Sequence, residues 1–455
     1  MANSREMDMV NGPLLPKIVR FIIPLIFTGV LQLLYNAADV VVVGRFEGHQ
    51  ALAAVGATGA LINLILNVFM GLAVGASVAV AQDYGAGDNK GVYKVVHTSI
   101  LVSIFGGIIV AVIGICFSGT FLEWMGTPED VLPLASAYLM VYFMGAPGSL
   151  IYNFGASILR SVGDTKRPLY MLAISGLVNV ILNMFFVIVC HLGVVGVALA
   201  TIISQYLSMT MVVIYLTRID SCCRLNLKEM RIYRDKLNRI VRVGLPAGIQ
   251  GSVFSISNVV IQSSINSFGS LVMSGSTAAG NIEGFVYMAM NSVYQASLTF
   301  TGQNIGAKKY DRIHRVTFTC AGIVTVIGLV MGVSAYIFAE PLLGIYLPND
   351  PEAIPYGVIR MSYVALPYFL CGLMEVFTGS QRGMGMSLTP MITSLVGSCL
   401  FRIVWIMTIF NAYRTLPALF ISYPISWILT TLAHMIFYLN YKHRHYPNAK
   451  ITAAE

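Results

Sequence analysis

"PLYMLAISGLVNVILNMFFVIVCHLGVVGVALATIISQYLSMTMVVIYLT", residues 168–217, runs for 50 residues without an Asp, Glu, Lys or Arg. A helix that crosses a bilayer needs about 20 predominantly apolar residues. The run is too long for one helix and breaks naturally at "HLG", 191–193. It therefore reads as two consecutive spans, 168–189 and 194–217. The same criterion, applied outward through the gaps between charged residues, gives spans at 18–42, 52–80, 95–117, 131–158, 245–268, 278–302, 316–338, 355–380, 390–410 and 416–440. Twelve spans return both ends of the chain to one side of the membrane.

Composition agrees. Of 455 residues, 56% are hydrophobic and only 11% charged, with a mean hydropathy of +0.76; a soluble domain has about 25% charged residues. The expected class is an all-α integral membrane protein. The first apolar run, Phe21 to Gly44, is longer than the ~7–15 residues of a signal-peptide core, and no cleavage site follows it. The seven cysteines are scattered without a C-x-x-C, so they read as small apolar residues, not as a disulfide or metal framework.

The charge pattern orients the spans. With the N-terminus in the cytoplasm, the inner segments hold 24 of the 28 Lys and Arg, as positive-inside topology requires. The outer loops carry acid instead: Glu123, Glu129, Asp130, Glu340, Asp350 and Glu352. This explains the net charge of +8 without a nucleic-acid partner. The basic stretch 218–242 reads as a topogenic cytoplasmic linker between an N-lobe, 1–217, and a C-lobe, 243–455.

The two halves resemble each other. "RSVGDTKRP" (160–168) matches "RGMGMSLTP" (382–390) in Arg, Gly and Pro at an offset of 222. Pro24 and Asn36 match Pro246 and Asn258 at that offset, and "QDYGAGDNK" (82–90) matches "QNIGAKKYD" (303–311) at 221. Six spans per half make the repeats parallel, related by an axis along the membrane normal. The expected architecture is two pseudo-symmetric six-helix bundles around a central cavity, with alternating access by rocking of one bundle against the other.

Several stretches resemble the multidrug and toxic compound extrusion (MATE) family of bacterial type. They are "YNAADVVVVGR", "QDYGAGD", "RSVGDTKRP", "SNVVIQSSINSFGS", "AAGNIEGF" and "MEVFTGSQRGMG". The likeness covers about residues 14 to 440. It implies a twelve-helix antiporter that exports organic cations, drugs or other amphipathic compounds against inward H⁺ or Na⁺ flow. It also implies an inner (plasma) membrane location, with both termini cytoplasmic.

Polar residues inside the spans are the candidate machinery. Asp39 is the only charged residue between Phe21 and Gly44, and an ionised Asp at the bilayer centre costs ~3 kcal/mol on insertion scales. It can carry H⁺ or bind Na⁺ through oxygen, or it can cap a kinked helix. The family likeness implies that it is the N-lobe coupling acid. Asn179 and Asn183, at i and i+4, share one face of the fifth span. They could converge with Asn36, Asn153 and Thr201 around Asp39, or make ordinary interhelical hydrogen bonds. In the ion-coupled relatives this pattern is Asn-x-x-x-Asp; Asn183 in the acidic place leaves the N-lobe one carboxylate.

In the C-lobe, Glu283, Asn281, Glu375 and Tyr287 are candidates for a cation or substrate site. Glu375 could instead pair with Arg402 or Arg360, and Glu283 could be dipole-stabilised at a helix N-terminus. Tyr35, Phe154, Met288 and Tyr294 suit a cavity for amphipathic cations, or helix packing. Pro24 is a candidate hinge in the helix that carries Asp39.

No P-loop, HExxH or nucleophile elbow occurs, so the chain reads as a secondary active transporter without cofactors, not an enzyme. Its expected partners are small molecules and membrane lipid, and a monomer suffices. The alternatives are a flippase for a lipid-linked precursor, disfavoured by having only Arg360 and Arg402 as cations within spans, and a non-transporting membrane scaffold or receptor.

Overall fold

The structure, a computed structural model, describes residues 7–348 and 350–445. All regular structure among these residues is helical. Six helical segments precede the basic linker: α1 (Leu14–Phe46), α2 (Gly48–Gly85), α3 (Asn89–Trp124), α4 (Leu132–Met144 and Ala146–Ser161), α5 (Lys166–Met184, running on through Phe185–Val189) and α6 (Gly193–Arg218). Six long segments follow it: α7 (Arg234–Asn266), α8 (Ser270–Gly306), α9 (Tyr310–Ile337), α10 (Ile354–Tyr363 and Phe369–Gly383), α11 (Leu388–Ser394 continued to Phe410) and α12 (Leu416–Phe420 and Ser422–His445), with a short helix, Ala339–Tyr346, between α9 and α10.

Among the described residues nine helices are long and apolar enough to cross a membrane, or ten when α4, bent by 48°, is one span. The remaining two segments, α8 and α10, are those that carry Glu283, Arg360 and Glu375. α8 is diluted by Ser, Thr, Gly, Asn and Gln, and α10 is interrupted.

The duplication recurs in local geometry. α4 breaks at Gly145 and α10 between Tyr363 and Phe369, where the offset of 222 sets Pro367 opposite Gly145. A widened π-turn spans Phe185–Val189 in α5 and another spans Ile406–Phe410 in α11, 221 residues later. Such turns occur where a helix is opened for a local purpose.

The chain divides into two compact units, Met7–Asp8 with Val30–Ser252, and Met9–Gly29 with Val253–His445. The changeovers fall inside continuous helices, at Gly29/Val30 in α1 and at Ser252/Val253 in α7. Pro24 lies inside α1, where the Thr28 hydroxyl bonds back to its carbonyl at 2.8 Å; such back-bonding bends helices.

Packing in the first unit is that of a membrane bundle. α3 turns Ser103, Gly106, Gly107, Gly114 and Ser118 inward and leaves Phe105, Ile108, Ile109, Val112 and Phe117 exposed. Lipid tails solvate large apolar side chains, so small residues that allow close backbone approach take the interface. Gly71 and Gly75 of α2 meet Gly244 and Gly248 of α7 in this way; a Cβ at Gly71 would run into the Gly248 backbone.

The basic linker is folded against the first unit. Asn226 N donates to His97 Nε2 (3.0 Å) and Tyr233 N to Thr98 Oγ1 (3.1 Å). Lys236 and Arg239, already helical, both pair with the buried Asp83. All seven cysteines are free; four are buried, whereas Cys116 and Cys190 are exposed and are not core residues.

Candidate functional site

The first unit gathers its polar residues around Asp39. One helical turn separates Asn179 from Asn183 on α5, and both are buried. Asn183 Nδ2 donates to Asp39 Oδ1 on α1. The same nitrogen reaches Asn179 Oδ1 at 3.3 Å, and Asn179 Nδ2 reaches Thr201 Oγ1 of α6 at 3.4 Å. Thr201 closes the chain on the Val197 carbonyl, 3.0 Å away. A single carboxylate thus sits at the end of an amide and hydroxyl relay across three helices. Asn183 Oδ1 is buried without a hydrogen-bond partner among the described residues. The π-turn of α5 begins two residues after Asn183.

Two of the expected neighbours stay out. Asn36 is exposed. Asn153 bonds to Ser149 O at 2.8 Å on its own helix. Tyr35 does join α5: its hydroxyl donates to Ala173 O at 3.1 Å and its ring lies flat against Gly176, which has no side chain to exclude it. Phe154 is fully buried in the apolar core of this unit, so it packs helices and is not a cavity wall.

The second unit holds different chemistry. Glu283 of α8 and Arg360 of α10 form a two-pronged ion pair, Nε–Oε1 3.0 Å and Nη2–Oε2 2.8 Å, and Arg360 Nη1 also donates to Ser276 Oγ at 2.9 Å. This corrects the pairing of Arg360 with Glu375 considered above. Arg402 is buried, donates Nε to Ser426 Oγ (2.9 Å), and lies 4.2 Å over the Tyr423 ring and 5.6 Å over Trp427. Glu375 instead interacts with Tyr287 and Arg382. Arg382 donates to the hydroxyl of the buried Tyr294 at 2.7 Å, so Tyr294 serves a buried polar contact. Met288 packs on Gly29, and Asn281 is exposed.

The ion pair lines a cavity of about 330 Å³ within this unit. Tyr287, Tyr368, Tyr423 and Trp427 supply its aromatic wall, and Asn258 and Gln262 of α7 its amides. Sequence reasoning placed Glu283 and Tyr287 here but missed Arg360, Tyr368, Tyr423 and Trp427. Arg360 was the one findable from sequence, since it and Arg402 are the only cations inside the spans.

The two units are chemically unequal at equivalent positions. At the 222 offset Asp39 corresponds to Ile261, Asn179 to Phe401 and Asn183 to Trp405, while Arg360 corresponds to Tyr138. The carboxylate–amide relay belongs to one unit and the ion-paired cavity to the other.

Comparisons with known proteins follow this architecture. A family model described as MatE matches residues 24–185 and 246–408, once in each half. A probable multidrug resistance protein, YoeA of Bacillus subtilis, is 29% identical over 388 residues, 82% of each chain. The multidrug export protein MepA of Staphylococcus aureus is 22% identical over 94% of each chain. A solved structure titled as the outward-facing conformation of a multidrug resistance MATE family transporter superposes with a TM-score of 0.89 at 23% identity, over 98% of each chain.

Proposed function

The chain belongs to the MatE family, and from that premise we propose that it is a cation-coupled antiporter that exports amphipathic small molecules, organic cations and drugs among them, by alternating access. As a family member it is a multi-pass membrane transporter; the coupling, the direction and the residues are the proposal. The location we propose is the plasma membrane, with both termini in the cytoplasm.

The observation that carries the reading is the relay Asp39–Asn183–Asn179–Thr201. A carboxylate in an apolar span is costly unless it is paired or used. Here its bonded partner is an amide, which holds it without neutralising it. An entering H⁺ would remove the charge that Asn183 donates to. A Na⁺ would instead draw oxygen donors to Asp39, and rotation of the Asn183 amide would bring in its unpartnered Oδ1. Both changes replace the Asn183–Asp39 bond and so repack α1 against α5. α1 is also the helix that passes from the second unit into the first, five residues beyond Pro24. Pro24 and Thr28 form the proposed hinge through which occupation of Asp39 changes the course of α1.

The test is transport in proteoliposomes with ΔpH and ΔNa⁺ imposed separately. Export driven by one gradient, together with reciprocal ion movement driven by substrate, supports antiport. Substrate movement indifferent to both gradients would remove the coupling claim.

A further inference from the structure

We propose that the cavity of the second unit is a binding site for an aromatic ligand that carries an anionic group, with Arg360 as its anchor. The proposal rests on the export reading for the ligand's eventual route and deepens it by naming a ligand class.

Charge is the first argument. Among the described residues Arg360 is the one guanidinium that lines the cavity, and Glu283 occupies only one edge of it. Nη1 and Nη2 each carry two hydrogens, of which the Glu283 and Ser276 contacts use one apiece. A second guanidinium, Arg402, lies over the Tyr423 and Trp427 rings that line the cavity, and its Nη2 is buried without a hydrogen-bond partner among the described residues. The cavity lining, with Arg402 on its rings, therefore holds two guanidinium groups against the carboxylate of Glu283. Glu375 and Arg382, neither of which lines the cavity, interact electrostatically with each other. An anion completes this set. A lone cation adds a third positive charge beside these two guanidinium groups, or takes Glu283 and strands Arg360.

The rings give the second argument. Trp427 stacks on Tyr368 at 5.2 Å and meets Tyr423 edge-on at 5.7 Å, which makes one continuous aromatic surface. Such a surface normally attracts organic cations. Here the π-faces of Tyr423 and Trp427 are already engaged by Arg402. A second cation brought against these rings would meet the charge of Arg402 already on them, whereas a flat apolar ligand body would not. The volume, near the lower end for small-molecule pockets, fits one or two rings with an acidic substituent.

The test is equilibrium binding to the purified full-length protein without any gradient, so that failed transport and failed binding are read separately. The chain has three Trp; the W124F/W405F variant leaves Trp427 as the sole tryptophan, excited selectively at the red edge of its absorption. Three shape-matched quenchers are titrated: 4-nitrobenzoate, 4-nitrobenzyl alcohol and 4-nitrobenzylammonium. Saturable quenching with the carboxylate about tenfold tighter than the ammonium, a factor of ten in Kd, is the expected result. The E283Q/R360Q variant, which removes both charges and keeps a polar, hydrogen-bonding side chain at each place, should lose that preference. Calorimetry on the wild-type chain must give the same order, and stands alone if the Trp variant does not fold. Tighter binding of the ammonium, equal binding of all three, no saturable binding, or an unchanged preference in E283Q/R360Q would each overturn the proposal.

Discussion

Asn183 donates its side-chain amide to Asp39 across α5 and α1, and Asp39 is the only charged residue in the stretch from Phe21 to Gly44. The bond links the helix that changes units to a helix held wholly inside one of them. Replacing Asn183 by Leu removes the donor and leaves a half-buried carboxylate to find another. A loss of about 1–3 kcal/mol is expected, seen as a lower Tm in detergent, together with weakened ion dependence of transport. Unchanged Tm and unchanged coupling would show that the bond matters to neither.

Glu283 and Arg360 make the opposite kind of site, in which a carboxylate meets a full positive charge. Glu283→Gln alone strands a buried guanidinium and should cost about 3–5 kcal/mol. The E283Q/R360Q pair, neutral and still able to hydrogen-bond, should regain most of that. Thermal unfolding of the three proteins in one detergent decides it. A double variant as unstable as the single one would mean that the pair is not the source of the loss.

The glycines of α2 are not equivalent. A Cβ at Gly75 collides with the Ile240 carbonyl and the Gly244 backbone, whereas one at Gly56 meets nothing within 4 Å. Gly75→Leu should therefore abolish the folded protein or lower its Tm by many degrees, with a cost of at least about 3 kcal/mol from forced overpacking. Gly56→Leu should be neutral, or stabilising by up to ~1 kcal/mol through helix propensity. Fluorescence-detected size exclusion of membrane extracts separates the two outcomes.

Pro24 tests the proposed hinge. Pro24→Ala restores a backbone donor inside a continuous helix and straightens the segment before the Gly29/Val30 changeover. The variant should remain folded while turnover falls by roughly tenfold, as expected when a conformational step limits the rate. Wild-type turnover with wild-type stability would leave Pro24 a packing residue.

Much of the fold was legible because bilayer length and hydropathy act along the chain. The twelve spans and the duplication at 222 needed no third dimension. Within the site, Asn179 and Asn183 were readable as a pair because one helical turn fixes them. Partner choice was not. Glu283 lies 77 residues from Arg360 and Glu375 only 15, yet Arg360 pairs with Glu283. The break in α10 gives Arg360 and Glu375 separate helical frames, so spacing along the chain does not decide which acid it meets. Phe154 misled for a related reason: aromatic character does not say whether a side chain faces a cavity or a helix. The changeover of α1 and α7 between units left no trace in sequence, since both helices continue without interruption.

The central claim is that Asp39 couples ion entry to export, and counterflow in proteoliposomes tests it directly. Vesicles loaded with a fluorescent organic cation are exposed to ΔpH or ΔNa⁺ separately, with the wild-type chain or with Asp39→Asn, which keeps the shape and removes the charge. The expected result is wild-type flux that follows one gradient and an Asp39→Asn protein, folded and monodisperse, whose flux no longer responds to it. Gradient-driven flux of wild-type size in Asp39→Asn would contradict the account and make Asp39 a structural residue.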